Sequence, residues 1–255
     1  MNERKETIMV ETAPELPPTS YSRVHAEIYD AIHTSRGRDW AYEADEIART
    51  VRTITPDADS LLDVACGTGA HMERLSQHFS EVEGLEISPG MRRLAQERIP
   101  GMRVHSGDMR SFDLGRRYSA VICMCYSLGY MASLHELESA AVSIGRHLVP
   151  GGVAILEPWW FPERFLDGYV TGATVEETGR VISRTSHSVR DGEHSRMTVR
   201  YTVADGAGIS EFTEYEVHSL FPRQVYADAF AKAGVHLSYR EGGPNGRGLF
   251  VGTLD

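Results

Sequence analysis

The 255-residue sequence predicts an α/β fold: a largely parallel sheet, two helices ahead of it, and an antiparallel β insertion toward its end. Three observations carry that expectation. Short apolar runs alternate with helical segments between residues 60 and 157, the pattern of parallel strands joined by right-handed crossovers. A glycine-containing turn, Asp63-Val64-Ala65-Cys66-Gly67-Thr68-Gly69, ends the first run and opens a helix. Residues 159–221 then abandon this rhythm for period-two segments around Asp191-Gly192-Glu193, a hairpin signal.

Taken in order, residues 1–19 are rich in Glu, Thr and Pro without periodicity and read as a flexible leader. A helix is expected over 21–32 and a second over 40–54, where Trp40, Ala44, Ile47, Val51 and Ile54 fall on one face. Asp39 is placed to cap the second helix. The link between the two, Ser35-Arg36-Gly37-Arg38-Asp39, is basic and turn-like. Strands are expected at 61–65, 82–87, 102–105, 120–124 and 153–157, with helices beginning near Ala70 and spanning 91–98 and 135–148. Within the insertion, 181–190, 197–203 and 213–220 alternate as antiparallel strands. A helix over 223–233 and strands at 235–240 and 248–252 complete the chain. Residues 20–158 and 222–255 thus form one domain, interrupted by a β cap at 159–221.

Composition narrows the function. Hydrophobic residues make up 41% of the chain and charged residues 24%, enough apolar material for a buried core. The 26 Lys and Arg against 36 Asp and Glu leave a net charge of −10, which sets aside nucleic acids and anionic membranes as main partners. Cys66, Cys123 and Cys125 form no CxxC pair, arguing against a disulfide framework or a structural zinc site. No apolar run approaches the ~20 residues of a membrane span, and the expected location is the cytoplasm.

The glycine turn is the strongest local signal. Its glycines let backbone approach a ligand, and the following helix N-terminus favours polar groups. Met72 stands where a dinucleotide fingerprint has its third glycine, which argues against a pyrophosphate seat. Glu86 ends the second strand, where a carboxylate can accept from both ribose hydroxyls. Gly107-Asp108-Met109 follows the third strand, where Asp108 can meet an adenine amino group and Met109 can lie on the ring. An adenosyl group without phosphates is that of S-adenosylmethionine (SAM). Asp63, Ala65, Gly67, Gly69 and Met124, at the ends of the first and fourth strands, belong to the same expected site.

These residues resemble the SAM-dependent methyltransferases. The likeness is closer to the TDP-amino-sugar N-methyltransferases that make the dimethylamino sugars of macrolides and related antibiotics. It rests also on Ala26-Glu27-Ile28-Tyr29-Asp30, Glu157-Pro158-Trp159-Trp160-Phe161-Pro162-Glu163, Ser186-His187-Ser188, and the glycine-rich stretch Gly242-Gly243-Pro244-Asn245-Gly246-Arg247-Gly248-Leu249-Phe250. The resemblance implies a Rossmann-like sheet with an N-terminal helical lid and an inserted β cap. It implies SAM-dependent N-methylation, in the dimethyl form, of a TDP-linked amino-deoxysugar by a homodimer. Tyr21 is then expected against substrate, Tyr29 against SAM, and Arg36 or Arg38 at the methionyl carboxylate. Tyr130 stands where relatives carry His or Tyr and would position the amine, and Arg247 aligns with a substrate contact.

Other substrate residues follow from pattern. Arg184 and Arg190 share strand parity and are joint candidates for the diphosphate, whereas His187 faces the other way unless the strand bends. Trp159 and Trp160 can stack on thymine or line the sugar pocket. A free amine is already a nucleophile, so a phenol or imidazole that orients it and accepts a proton suffices. Two alternatives stay open: a methyltransferase of another small amine or hydroxyl without a nucleotide handle, and a SAM-binding module without catalysis.

Overall fold

The structure is a computed structural model and describes residues 23–255. Tyr21 and the expected leader lie outside the described residues. α1 (Arg23–Ser35) buries Ile28 and Ile32. α2 (Trp40–Ile54) starts where Asp39 caps it, the Asp39 carboxylate accepting from the Tyr42 N–H at 3.0 Å. Ala44, Ile47 and Val51 bury as their spacing dictates.

From there strands and helices alternate: β1 (Ser60–Val64), α3 (Ala70–Leu75), β2 (Glu81–Glu86), α4 (Pro89–Arg98), β3 (Val104–Ser106), β4 (Tyr118–Cys123), α5 (Leu134–Arg146) and β5 (Leu148–Leu156). The insertion holds β6 (Tyr169–Glu177), β7 (Arg180–Asp191), β8 (His194–Asp205) and β9 (Gly208–Ser219). α6 (Arg223–Ala231), β10 (Val235–Arg240) and β11 (Leu249–Leu254) follow. The larger sheet runs β10-β11-β5-β4-β1-β2-β3, with every strand pointing the same way except β11, which is antiparallel to both of its neighbours. Strand order reverses between β1 and β4, and a crevice opens beyond their carboxyl ends, the usual ligand seat of such sheets.

Alternation along the strands divides the core. Leu62 and Val64 of β1 pack with Leu137, Ile144 and Phe230 on one face, while Leu61 packs with Ala44, Val51 and Met72 on the other. A third apolar cluster joins α1 to the inserted sheet through Ile28, Ile32, Ile182, Val199 and Tyr201. Met72 occupies the space that Gly84 of β2 leaves: a Cβ there would come within 2.6 Å of the Met72 sulfur and 2.7 Å of Cys66 Sγ. Helix α3 therefore closes on the sheet without the third glycine of a dinucleotide site.

Two elements depart from the sequence expectation. β6 adds a fourth strand to the insertion, order β6-β7-β8-β9, although its residues are mostly exposed and Gly172 interrupts them. Backbone pairing with β7, from Tyr169 opposite Ser188 to Glu177 opposite Arg180, holds it. β5 begins five residues before the expected start and runs through Pro150-Gly151-Gly152, where pairing with β4 shifts register.

Candidate active site

A cavity of about 860 Å³ opens at the carboxyl ends of β1, β2 and β4. Asp63, Ala65, Gly67, Glu86, Asp108, Met109 and Met124 all line it, with Tyr29 reaching in from α1. The turn after β1 coils back on itself, with φ of 59° at Ala65, 58° at Gly67 and 77° at Gly69. Gly69 is required twice over: its φ favours glycine, and a Cβ would stand 3.1 Å from that of Ala95 on α4. Glu86 is fixed by two backbone donors, Gly67 N–H at 2.9 Å and Ser88 N–H at 2.7 Å. Burial raises its carboxyl against the pull of those bonds. Asp108 is held by the Arg110 side chain at 2.6–3.0 Å, which keeps its carboxyl below the usual range, and Arg110 is tied in turn to Glu136.

Asp63 differs from these. It is 1% exposed, and its Oδ2 has no hydrogen-bond partner among the described residues. Burial pushes its carboxyl up to about 7, with the Glu86 charge adding and His71 opposing. A buried, half-satisfied carboxylate on a cavity wall suits a cationic group, and the methionyl ammonium of SAM is one. The residues present fit SAM.

Arg36 and Arg38 stand elsewhere. Both line a second cavity, of about 340 Å³, rather than the first. Arg38 is already engaged: it donates to both Glu157 oxygens at 2.8 and 2.7 Å and to Glu43 at 2.6 Å. Glu43 also meets His71 Nε2 at 2.8 Å, and Glu157 also accepts from Cys125 N–H at 2.7 Å and Arg247 at 3.3 Å. Burial works to raise the Glu157 carboxyl, yet Arg38 and Arg247 hold it below the usual range. Of the two arginines expected at the methionyl carboxylate, Arg38 here acts as a clamp joining the α1–α2 link, α2, the residue after β5 and, through Glu157, the C-terminal turn. Trp40 and His71 line the part of the first cavity near Tyr29 instead.

Trp159, Trp160 and Arg247 come together on the second cavity. The Arg247 guanidinium lies 4.5 Å from the Tyr126 ring centre and 5.4 Å from each tryptophan. Its turn is held by the Tyr239 hydroxyl, which donates to the Arg247 carbonyl at 2.8 Å.

The arginine pair of β7 is not a joint seat. Arg184 is buried on the inner face of the insertion and donates to Ser186 at 2.9 Å, and Ser186 lines the second cavity. Arg190 shares its parity but sits six residues on, roughly 20 Å along a strand, where it donates to the Pro162 and Gly192 carbonyls at 3.3 Å. His187 is exposed on the opposite face, as parity dictates. Neither Arg190 nor His187 lines either cavity.

The two cavities abut across a wall of rings. Tyr29 of the first packs against His33 of the second, with ring centres 4.2 Å apart and planes tilted by 34°. Tyr130 of the first lies 4.3 Å from His218, which stacks at 4.3 Å on Trp159 of the second. The Tyr130 hydroxyl donates to Glu216 Oε2 at 3.3 Å. Tyr126 and Cys125 enter this wall with φ of 54° and 52°, a strained pair of non-glycine residues directly after β4. Glu216 and His218 show only a weak sign in the sequence: polar residues in the inward slots of an alternating strand, costly unless used.

Comparison with known proteins fits this geometry. A methyltransferase-domain model matches residues 61–152, from β1 into β5. A dTDP-4-amino-2,3,4,6-tetradeoxy-D-glucose N,N-dimethyltransferase of Saccharopolyspora spinosa is 54% identical over 232 residues, covering 91% of this chain and 93% of its own. The chain belongs to the TDP-amino-sugar N,N-dimethyltransferases. A second such dimethyltransferase, the dTDP-3-amino-3,4,6-trideoxy-α-D-glucopyranose enzyme of Streptomyces venezuelae, is 49% identical over 91% of this chain and 99% of its own. SAM-bound CalS10, an amino pentose methyltransferase from Micromonospora echinaspora, aligns with a TM-score of 0.84 at 48% identity, covering 89% of this chain and 97% of that one. This N,N-dimethyltransferase is a SAM-dependent enzyme with the α/β fold of its relatives.

Proposed function

We propose that the enzyme binds SAM in the larger cavity, binds a TDP-linked amino-deoxysugar in the smaller, and dimethylates the sugar amine at the ring wall between them. The observation that carries this reading is the abutment itself. One cavity ends in the acceptors of an adenosyl group, the other in arginines and tryptophans, and Tyr29, His33, Tyr126 and Tyr130 divide them. SAM supplies an electrophilic methyl carbon on a positively charged sulfur. The chain supplies position. Glu86 faces the ribose hydroxyls, Asp108 and Met109 the adenine, Met124 and the backbone of the Gly67 turn the body of the ligand, and Asp63 the ammonium. Holding the amine in line with the methyl contributes roughly 7–11 kcal/mol in favourable cases.

On the substrate side, Arg247 and Arg36 suit the diphosphate and Trp160 suits stacking on thymine. Tyr21 is proposed to close over the sugar and Arg184 to brace the inner face of the cap. The relatives' names place the amine at carbon 4 in one case and carbon 3 in the other, so both belong in any substrate panel. Among the described residues, no helix is long and apolar enough to cross a membrane, in keeping with a proposed cytoplasmic setting. The proposed homodimer would meet through the insertion, where Val170, Val181 and Ile209 are exposed; light scattering would show twice the chain mass.

Mass spectrometry of products from TDP-3-amino and TDP-4-amino sugars tests the reaction, with a mass gain of two methyl groups as the expected result. Calorimetric titration of TDP into enzyme saturated with S-adenosylhomocysteine tests the handle: heat of binding supports it, and silence contradicts it.

A further inference from the structure

Glu216 stands where the reaction needs a proton acceptor. It is 9% exposed and lies on the inner face of the insertion, directly opposite Met197 of β8, which lines the second cavity. From the other side comes Tyr130, whose ring lines the first cavity and whose hydroxyl donates to Glu216 Oε2. A single hydrogen-bonded pair thus runs from the first cavity into the wall behind it, next to a strand neighbour that lines the second.

Resting on the functional reading above, we infer that Tyr130 and Glu216 form a proton relay that deprotonates the sugar ammonium before each methyl transfer. Tyr130 touches the amine, and Glu216 is the positioning residue behind it that takes up the proton. An ammonium nitrogen has no lone pair to attack with. As the Tyr130 oxygen takes a proton from the ammonium, its own proton passes to the Glu216 carboxylate. The phenol is regenerated, Glu216 becomes a carboxylic acid, and the amine is neutral. The nitrogen lone pair then forms the N–C bond as the C–S bond breaks, with that electron pair staying on sulfur. The monomethyl product is again an ammonium and needs the same service before it can accept a second methyl. Glu216 releases its proton to water when donor exchange opens the cavity that Tyr130 lines.

The surroundings suit this role. Facing Glu216 are Glu214 and His218 from its own strand, Arg184 from β7, Tyr201 from β8, Arg36 from the α1–α2 link, and Tyr126 and Tyr130 from the turn after β4. Burial pushes its carboxyl up to about 7 while Arg184 pulls it down, so it is a competent base near neutrality. His218 is no rival acceptor. Burial and Arg247 drive it down to about 3, and its ring is packed between Tyr130 and Trp159.

The test is kcat and product distribution from pH 6 to 9 for wild type, Glu216→Gln and Glu216→Asp on the best TDP-amino sugar, with S-adenosylhomocysteine binding as the check of folding. The active form is the carboxylate, so wild-type kcat should fall as pH drops below about 7. Glu216→Gln should lose roughly 10²-fold in kcat at pH 7 with little change in KM, recover toward pH 9, and release monomethyl product. Glu216→Asp should keep part of the activity and the acid limb. Wild-type kcat and profile in Glu216→Gln overturn the relay, as does an equal loss at every pH with S-adenosylhomocysteine still bound. If Glu216→Gln fails to bind S-adenosylhomocysteine, Tyr130→Phe decides on the same criteria. A wild-type enzyme inactive on every TDP-amino sugar overturns the functional reading and the relay together; an active wild type with an unperturbed Gln variant overturns the relay alone.

Discussion

Asp63 and Glu157 are both buried carboxylates, and their surroundings push them in opposite directions. Asp63 has a raised folded-state pKa, against about 3.9 in an unfolded chain, so its protonated form favours folding and that contribution fades as pH rises from about 4 through about 7. Asp63→Asn should therefore raise the melting temperature at pH 8 by a few degrees. The same change should weaken S-adenosylhomocysteine binding by about 10-fold or more, because the proposed ammonium seat loses its counter-charge. In wild type that affinity should rise between pH 5 and 7 and then level off; in Asp63→Asn the rise should be much reduced. Glu157 runs the other way. Its folded-state pKa is lowered, so its contribution is present above about 4.3 and lost as pH falls through that range. Glu157→Gln leaves Arg38 and Arg247 buried without their shared partner, and denaturant unfolding at pH 7 should show a loss of about 3–5 kcal/mol that shrinks toward pH 3.5. The sequence marks the ends of the parallel strands as ligand positions, and its family resemblance names Arg36 or Arg38 for a ligand carboxylate, but nothing in it shows the buried glutamates that Arg38 meets. Whether an arginine meets a ligand or a buried glutamate depends on residues 119 positions away.

At the scale of elements, the fit of α3 against β2 replaces a glycine on the helix with one on the strand. Gly84→Ala should overpack Met72 and Cys66 and cost about 1–3 kcal/mol, and adding Met72→Ala should return part of that loss; a double-mutant cycle in urea measures the coupling. The parallel strands and α2 were legible because burial on defined faces writes a period into the residues. β6 was not: it is an exposed edge strand, held by backbone hydrogen bonds that any sequence can supply. The paired arginines of β7 show the complementary limit. Parity correctly places Arg184, Arg190 and His187 on their faces, but parity says nothing of distance along the strand, and the two arginines serve different neighbourhoods.

At the scale of the whole molecule, α1 and the insertion set a second cavity beside the crevice at the strand ends, the two chambers of the proposed site. α1 contributes Tyr29 to one chamber and His33 to the other, one helical turn apart, and the inserted sheet carries Glu216 and His218 to the wall between them. That wall was the least legible feature, since it is assembled from three segments far apart in the chain. The most direct test is a crystal structure with S-adenosylhomocysteine and a TDP-amino sugar bound together. Adenosine should lie against Glu86 and Asp108, diphosphate at Arg247, and the sugar nitrogen beside Tyr130 on a line toward sulfur, with room for a methyl at about 3–3.5 Å from nitrogen. A sugar nucleotide on the outer face of the insertion, or one whose amine points away from that wall, would contradict this arrangement.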